Sequence, residues 1–579
     1  MRIDNPLIEK INDVPFTLTS SIISVGQGST NFNTGIEINA FGTNAASGNT
    51  ASYINAFGNN AACGNTGDYV DGIGYQSAYG NSGSNVSALG YQSAKNNIGD
   101  NVIAIGVGSS TNNTGNCVNS IGLCSTVNNT GDGVVGIGFE SACENTGTGV
   151  VGVGDRSSVC NTGNLVVGIG NLASMCNSGY YVVGVGYRAA CGNSASYVSA
   201  VGFDAACNNL GDNVVAVGYL AAADNIGSCV VGVGIGAACS NYGCNIVSIG
   251  YQAGITQSGN CNNFIGMDAG NINTGSYVNA IGYRTGLGNT GSIVNAIGFC
   301  SAWGNLGDCV NAFGLCSTSL NSGNYVDAIG VCAAYQNTGN CVISIGLNSG
   351  FCNLGNCTTF VGPNSGYCNL CDNVIGIGDS SAYGNSGSTV TSIGLQAAWY
   401  NEGDGVVAMG DQAAYCNTGS YIVGVGSQAG FCNSGSLVGV GQGAGACNKG
   451  NLVVALGINA AANNNGANVH SMGYQAGLGN TGSHVTSIGY RSGYLNTGSH
   501  SIFFGYCAGG TNSGNHIIAM GASAGIGNTQ SNRFIISNCN LPSFVDYDTA
   551  SASIYSSMPS GNTYLFFNES TCVVQAVRK

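Results

Sequence analysis

Charge is what this chain has least of. Only 6% of its 579 residues are charged, against about a quarter in ordinary globular proteins. With 25 acidic and 11 basic residues the formal charge is −14, which leaves no basic surface for nucleic acid or anionic lipid. His occurs four times, Trp twice and Pro five times. Catalysis needs a positioned acid, base, nucleophile or metal, and these groups are too sparse and scattered to predict an enzyme. No apolar run reaches the length of a membrane span, so no membrane insertion is expected. The start, "MRIDNPLIEKINDVPFTLTSS", lacks a cationic segment followed by an apolar core. It is therefore not read as a secretory signal. The chain is expected to fold in a cytosol and to leave by lysis, by assembly into a particle or by a non-classical route.

What the chain has instead is glycine, 98 of them, and a repeat. "NNTGDGVVGIGFESAC" (128–143) is followed at once by "ENTGTGVVGVGDRSSV", the same skeleton with other surface letters. The Gly after an apolar residue recurs at Gly26, Gly42, Gly58 and every 16 residues to Gly426. One coil is a residue short, giving Gly441, and the step of 16 resumes to Gly521. The consensus is close to V-x-A-I-G-Y-x-A-A-x-x-N-T-G-D-x. The residue just before this register Gly is apolar in all 32 copies, and the one four before it is Val, Ile or Leu in 29. Columns are numbered from the register Gly, so these two are −1 and −4. A period of 16 is too short for helical hairpins, and the β-branched run disfavours helix. It fits one rung of a parallel β-solenoid, read as two short strands and two turns, with Asn and Gly of the "NTG" turn tolerating left-handed backbone. At about 4.8 Å per rung the repeats predict a straight rod roughly 150 Å long.

Three coils break the −4 column with Asn262, Thr358 and Ser501, and the same three carry Phe at −2, namely Phe264, Phe360 and Phe503. Elsewhere −2 is Ala, Ser or Gly. Residues two apart in a strand share a face, so the exchange reads as volume compensation within one packed layer. The −1 column has the opposite parity and is also apolar. A strand apolar on both faces is covered on both. One face fills the coil; the other calls for a partner, with the Gly and Ala columns letting its backbone approach.

"SALGYQSA" (87–94), "VAVGYLAA" (215–222) and "TSIGYRSG" (486–493) resemble the head repeats of YadA-like trimeric adhesins and the repeats of trimeric phage and viral tail fibres. "SNRFIISN" (531–538) is similar to the "NRFII" segment that closes such arrays. The resemblance spans roughly residues 22–538. It implies a left-handed β-roll of about 32 rungs in a homotrimer packed about a threefold axis. The period of 16 departs from the shorter bacterial head repeat, and neither a heptad stalk nor an outer-membrane anchor is seen. Those departures favour a particle-borne fibre over a cell-anchored autotransporter.

Chemical motifs are few. "GxG", as at Gly152 to Gly154, is part of a rung and does not open a helix, so the phosphate-cradle reading fails. Asp68, Asp100, Asp132, Asp212, Asp308 and Asp404 follow the turn Gly without the nonapeptide of a calcium roll, and are read as solvated turn residues. Many cysteines keep the period: Cys160 and Cys176, Cys191 and Cys207, the trio Cys300, Cys316 and Cys332, Cys352 and Cys368, and Cys416, Cys432 and Cys447. Neighbouring rungs permit disulfides between them, but a column of small, buried, reduced thiols is the favoured reading in a cytosolic folding history. "CNLC" (368–371) has no second pair and does not predict zinc. His484, His500 and His516 share one column that could hold a metal if it faced a trimer axis; the other occupants of the column favour a surface position. No catalytic, cofactor or metal site is assigned.

Residues 1–21 and 539–579 lie outside the period. The first is expected to cap the solenoid or attach it, since a bare end exposes strand edge. "TYLFF" and "CVVQAV" in the second predict strands of a small terminal domain. The leading expectation is a non-enzymatic trimeric fibre or adhesin on a virus or phage particle, attached at one terminus and binding an unknown host receptor. A bacterial extracellular filament, an ice-binding solenoid and a passive spacer are the alternatives.

Overall fold

The computed structural model describes residues 7–11, 14–18, 21–537, 563–568 and 573–578. The fold is an all-β solenoid of 33 parallel strands and about 32 turns with a 16-residue period. It divides into two compact units, Met1–Ile297 and Gly298–Lys579. In the first, the strands from Ile22–Val25 to Val294–Ile297 each pair in parallel with the next, 16 residues on. In the second, the strands from Val310–Phe313 to Arg533–Ile536 do the same, except that Ile422 pairs with Leu437, 15 residues on, at the shortened coil. The "NRFII" segment is thus a further rung in register, with Arg533 opposite Ile517. At the start, Leu7–Ile11 and Val14–Leu18 form an antiparallel hairpin whose second strand pairs antiparallel with Ile22–Val25. Thr563–Asn568 and Val573–Arg578 form a separate antiparallel pair. Residues 1–6 and 538–562, where the remaining terminal expectations fall, lie outside the described residues.

Each rung has one strand, not the two expected. In the rung around Gly74 the strand is Val70–Ile73; Val70 and Gly72 point inward, and Asp71 and Ile73 outward. After it, Gly74, Gln76, Ala78 and Gly80 have φ of +131°, +53°, +52° and +65°, while the residues between them do not. The backbone alternates between left- and right-handed conformations instead of extending. Left-handed backbone costs a non-glycine residue about 1–2 kcal/mol, and it is offset here by hydrogen bonding between rungs. The Gly74, Gln76 and Gly80 amides donate to Phe57, Asn59 and Cys63 of the rung before at 2.8, 2.9 and 2.8 Å, and the Ala78 amide donates to Ser93 of the rung after at 2.8 Å. Period-two alternation of large and small residues survives in this segment without β dihedrals, which is why it read as a strand.

The "NTG" turn also works differently from the expectation. Neither Asn65 nor Gly67 is left-handed. Asn65 is fully buried, and its Nδ2 donates to Asn49 Oδ1 at 3.0 Å and to Gly67 O at 2.7 Å. Asn81 repeats the pattern on Asn65 at 2.7 Å, and Asn97 on Asn81 at 2.8 Å. A buried amide column therefore runs along the rungs, and its satisfied bonds make the burial tolerable. Gly67 is there for space: a Cβ on it would lie 1.9 Å from Gly83 O. The register Gly combines both needs, since Gly74 is left-handed and a Cβ there would lie 2.2 Å from Gly90 O. The Gly columns thus serve close approach between rungs of one chain.

Phe264, Phe360 and Phe503 are fully buried, as the exchange at −2 requires. The space for each ring comes chiefly from glycine. A Cβ on Gly270, Gly366 or Gly509, in the +4 column, would lie 2.0, 2.2 and 2.0 Å from the ring of its own rung. Most other rungs carry Ala, Ser or Thr in that column. The shortened coil has lost its −5 residue, an outer corner; the Ser436 hydroxyl there accepts the Leu452 amide at 2.7 Å.

Candidate functional site

Because the strand alternates, its −1 residue faces outward in every rung, and the +1 residue, on the other side of the register Gly, does so beside it. In the first unit Ile73, Leu89 and Ile105 are 45, 48 and 37% exposed, and Tyr75, Tyr91 and Val107 stand next to them at 41, 49 and 47%. In the second unit Ile329, Ile345 and Ile377 with Val331 and Leu347 repeat the arrangement. The −1 column is thus apolar throughout, while the +1 column is apolar over stretches such as Tyr75 to Phe139 and is interrupted by polar residues, among them Asp155, Asn171, Asp379 and Asp411. Isolated exposed apolar residues need no explanation, but contiguous patches of this size mark interaction surfaces. These columns are the outward face that the sequence read as apolar.

The polar columns are occupied by bonds between rungs. Asp68, Asp100, Asp132, Asp212 and Asp404 are not merely solvated. Each carboxylate accepts the backbone amide one rung earlier, as from Ser52 at 2.7 Å, Ser84 at 2.7 Å and Asn116 at 2.6 Å. Asn and Ser fill the same acceptor role elsewhere, with Asn324 taking the Asp308 amide at 2.7 Å. The column is chosen for an acceptor oxygen, and the negative charge is incidental to it.

His484, His500 and His516 are exposed and stack with ring centroids 4.7 and 5.0 Å apart and nearly parallel planes. Stacked imidazoles direct their nitrogens side by side and not toward a common point. Among the described residues no group of three or more His, Cys, Asp or Glu could hold a metal ion. Cys371 of "CNLC" turns its thiol to Ser386 O at 2.9 Å. All described cysteines are free thiols. They are not the buried column that was expected: only Cys191 and Cys207 are buried, and the others are half-buried or exposed.

One periodic feature was legible and went unread. Tyr335, Phe351, Tyr367, Tyr383, Trp399, Tyr415 and Phe431 share the +5 column and stack with centroids 4.5–6.0 Å apart. The aromatic recurrence at a spacing of 16 was the signal. Such pairs contribute about 0.5–1.5 kcal/mol each, and stacked in this way they show ring edges to solvent, so the ladder holds rungs and offers no flat platform to a ligand. In the +2 column, Arg156–Glu140 and Arg284–Asp268 pair across rungs at 3.0 and 3.5 Å. No helix among the described residues is long and apolar enough to cross a membrane. Comparison with protein-family models, curated proteins and solved structures finds no match to this chain.

Proposed function

We propose that the chain is a non-enzymatic fibre or adhesin of a virus or phage particle, assembled as a homotrimer of left-handed β-rolls and serving host attachment. The observation that carries this reading is the exposed apolar column at −1, with the apolar stretches of +1 beside it. Three copies turned toward one another along these columns would cover them, and a closed cyclic assembly removes the sticky face without leading to open aggregation. The low charge and the use of polar columns for bonding between rungs support a structural role. The resemblance of the repeats to trimeric fibre heads supports the particle and the attachment role.

The assembly is tested by mass photometry of the full chain beside the variant Ile73→Asp, Leu89→Asp, Ile105→Asp. The parent should run as three chains. The variant keeps its inward columns and should dissociate locally or populate smaller species. A stable monomeric parent at nanomolar concentration would overturn the oligomer, and with it the fibre. Imaging of particles with and without the protein tests the attachment role, which fails if no projection is lost.

A further inference from the structure

Cys191 and Cys207 are the only buried thiols among the described cysteines, 7 and 4% exposed, and they occupy the same +5 column of adjacent rungs. The rungs are held in register there, Val182 to Val198 in the strand and the Asn208 amide on Cys191 O at 2.8 Å in the turn. A rise of about 4.8 Å between rungs lies within the Cα separation that a disulfide spans, about 4.4–6.8 Å. Arg188 lies over the two thiols, with Nη2 3.6 Å from Cys207 Sγ and Nε 3.2 Å from Asp204 Oδ1. A guanidinium beside a buried thiol pair, itself fixed by a carboxylate, is the electropositive setting in which thiols become nucleophiles. The stacked Cys352, by contrast, turns its thiol to a neutral amide oxygen, Gln336 Oε1 at 3.2 Å.

From this cluster we infer a redox site: Cys191 and Cys207 form a dithiol that a small hydroperoxide oxidises to a disulfide joining two rungs of one chain. The Cys191 thiolate attacks a peroxide oxygen; the O–O bond breaks, the sulfur becomes a sulfenic acid, and hydroxide leaves and takes up a proton as water. The Cys207 sulfur then attacks the sulfenic sulfur, the S–O bond breaks, and a second water leaves with the Cys207 proton. Two thiols lose two electrons, and one hydrogen peroxide becomes two waters. Arg188 is a positioning residue: its guanidinium, 3.6 Å from Cys207 Sγ, places a positive charge beside the pair and favours its thiolate form.

Interaction with Cys207, opposed by burial and aided by Arg188, holds the Cys191 thiol below its ordinary value, while the same interaction pushes Cys207 upward. Burial pushes the stacked Cys332 and Cys352 thiols up instead. A lowered thiol is charged at lower pH than an ordinary one, so oxidation here should set in at lower pH than at the other stacked cysteines. The gain in thiolate is partly offset by lower nucleophilicity, leaving roughly a fivefold advantage near neutral pH.

The test treats the reduced full chain with hydrogen peroxide, quenches with an alkylating agent under denaturing conditions and maps linked peptides. The Cys191–Cys207 link should form first, about fivefold ahead of Cys352–Cys368. Arg188→Gln, which installs the residue that Gln76 and Gln92 supply in the same column, should slow it and move its pH profile upward. Links forming at equal rates at all stacked pairs, links between chains instead of within one, or an Arg188→Gln variant with an unchanged profile would each overturn the site.

Discussion

The rung that holds Phe264 and the rung that holds Gly72 solve the same packing problem in opposite ways. Around Gly72 a branched residue, Val70, fills the inside at −4, the −2 residue is small, and Ala78 occupies +4. Around Phe264 one ring fills the space, +4 is Gly270, and the −4 residue is polar. The sequence suggested that −4 and −2 trade volume. The structure adds +4 to that trade, because the ring also lies where an Ala Cβ would be. The −4 residue also does other work. Asn262 accepts the Val278 amide at 2.8 Å and donates to Gln257 Oε1 at 3.0 Å and Gly275 O at 2.9 Å. Gln257 stands in the amide column where its neighbours are Asn241 and Asn273. Four columns change together in this rung, and only two of them were noticed.

The largest break in the comparison should come from Gly270→Ala. Its backbone, at φ +62°, is one that Ala78 adopts, so the conformation alone does not exclude a side chain. The added Cβ would overlap the Phe264 ring, which must leave its place; we expect a loss of at least about 3 kcal/mol, the upper end for overpacked cores. Gly288→Ala, at φ +64° with no atom within 4 Å of the new Cβ, measures the backbone share and should cost about 1 kcal/mol. Amide hydrogen exchange across residues 258–274 reads the first and across residues 282–292 the second, because damage in a repeat array shows first as local opening. Equal loss of protection in the two variants would mean that the ring does not sit against Gly270.

Comparable in size is Phe264→Ala, which should cost about 3–5 kcal/mol locally by leaving a cavity. Adding Asn262→Val alone should recover little, since it strands the Gln257 carbonyl oxygen while refilling the space. Adding Gln257→Asn as well restores the amide column, and the triple variant should exchange more slowly than the double. The three sites share one packed space and should couple non-additively. A double variant already as protected as the parent would remove Gln257 from the network.

Most of this architecture was legible. The spacing of the register Gly gave the solenoid, the parity of −4, −2 and −1 gave the faces, and Phe264 marked the strand. What was not legible has one physical origin: glycine and alanine look alike to a reader of hydrophobic pattern. Gly67 avoids a carbonyl, Gly74 does so while left-handed, and Gly270 makes room for a ring, yet all three are written with the same letter. The second strand was misread for a related reason, because alternating handedness and extended backbone both place every second residue alike. The Asp column was located correctly but explained by solvent, and the His column was read as a surface column, which is where it lies. Their bonding is to the adjacent rungs, and a reading taken one rung at a time does not reach it.

The smallest expected effect separates the two rungs most finely. Thr358 replaces Val at −4 in the Phe360 rung as Asn262 does in the Phe264 rung, but its only polar contact across the interior is from Asn353 Nδ2 at 3.4 Å. That Asn353 amide already donates to Asn337 Oδ1 and Gly355 O, each at 2.8 Å. Thr358→Val therefore removes a long bond and orphans nothing, and valine has nearly the shape of the threonine it replaces. Net loss for a hydrogen bond of ordinary length is about 0.5–1.5 kcal/mol; this one should fall below that range. Asn262→Val, by contrast, removes three bonds of 2.8–3.0 Å and leaves a buried Gln257 oxygen without its partner. Hydrogen exchange at residues 354–368 in the first variant should match the parent, while residues 257–278 in the second open faster. If Thr358→Val loosens its rung as much as Asn262→Val does, polarity at −4 is itself a requirement of a buried Phe at −2. The glycine at +4 would then be insufficient to explain how these rungs accept the ring.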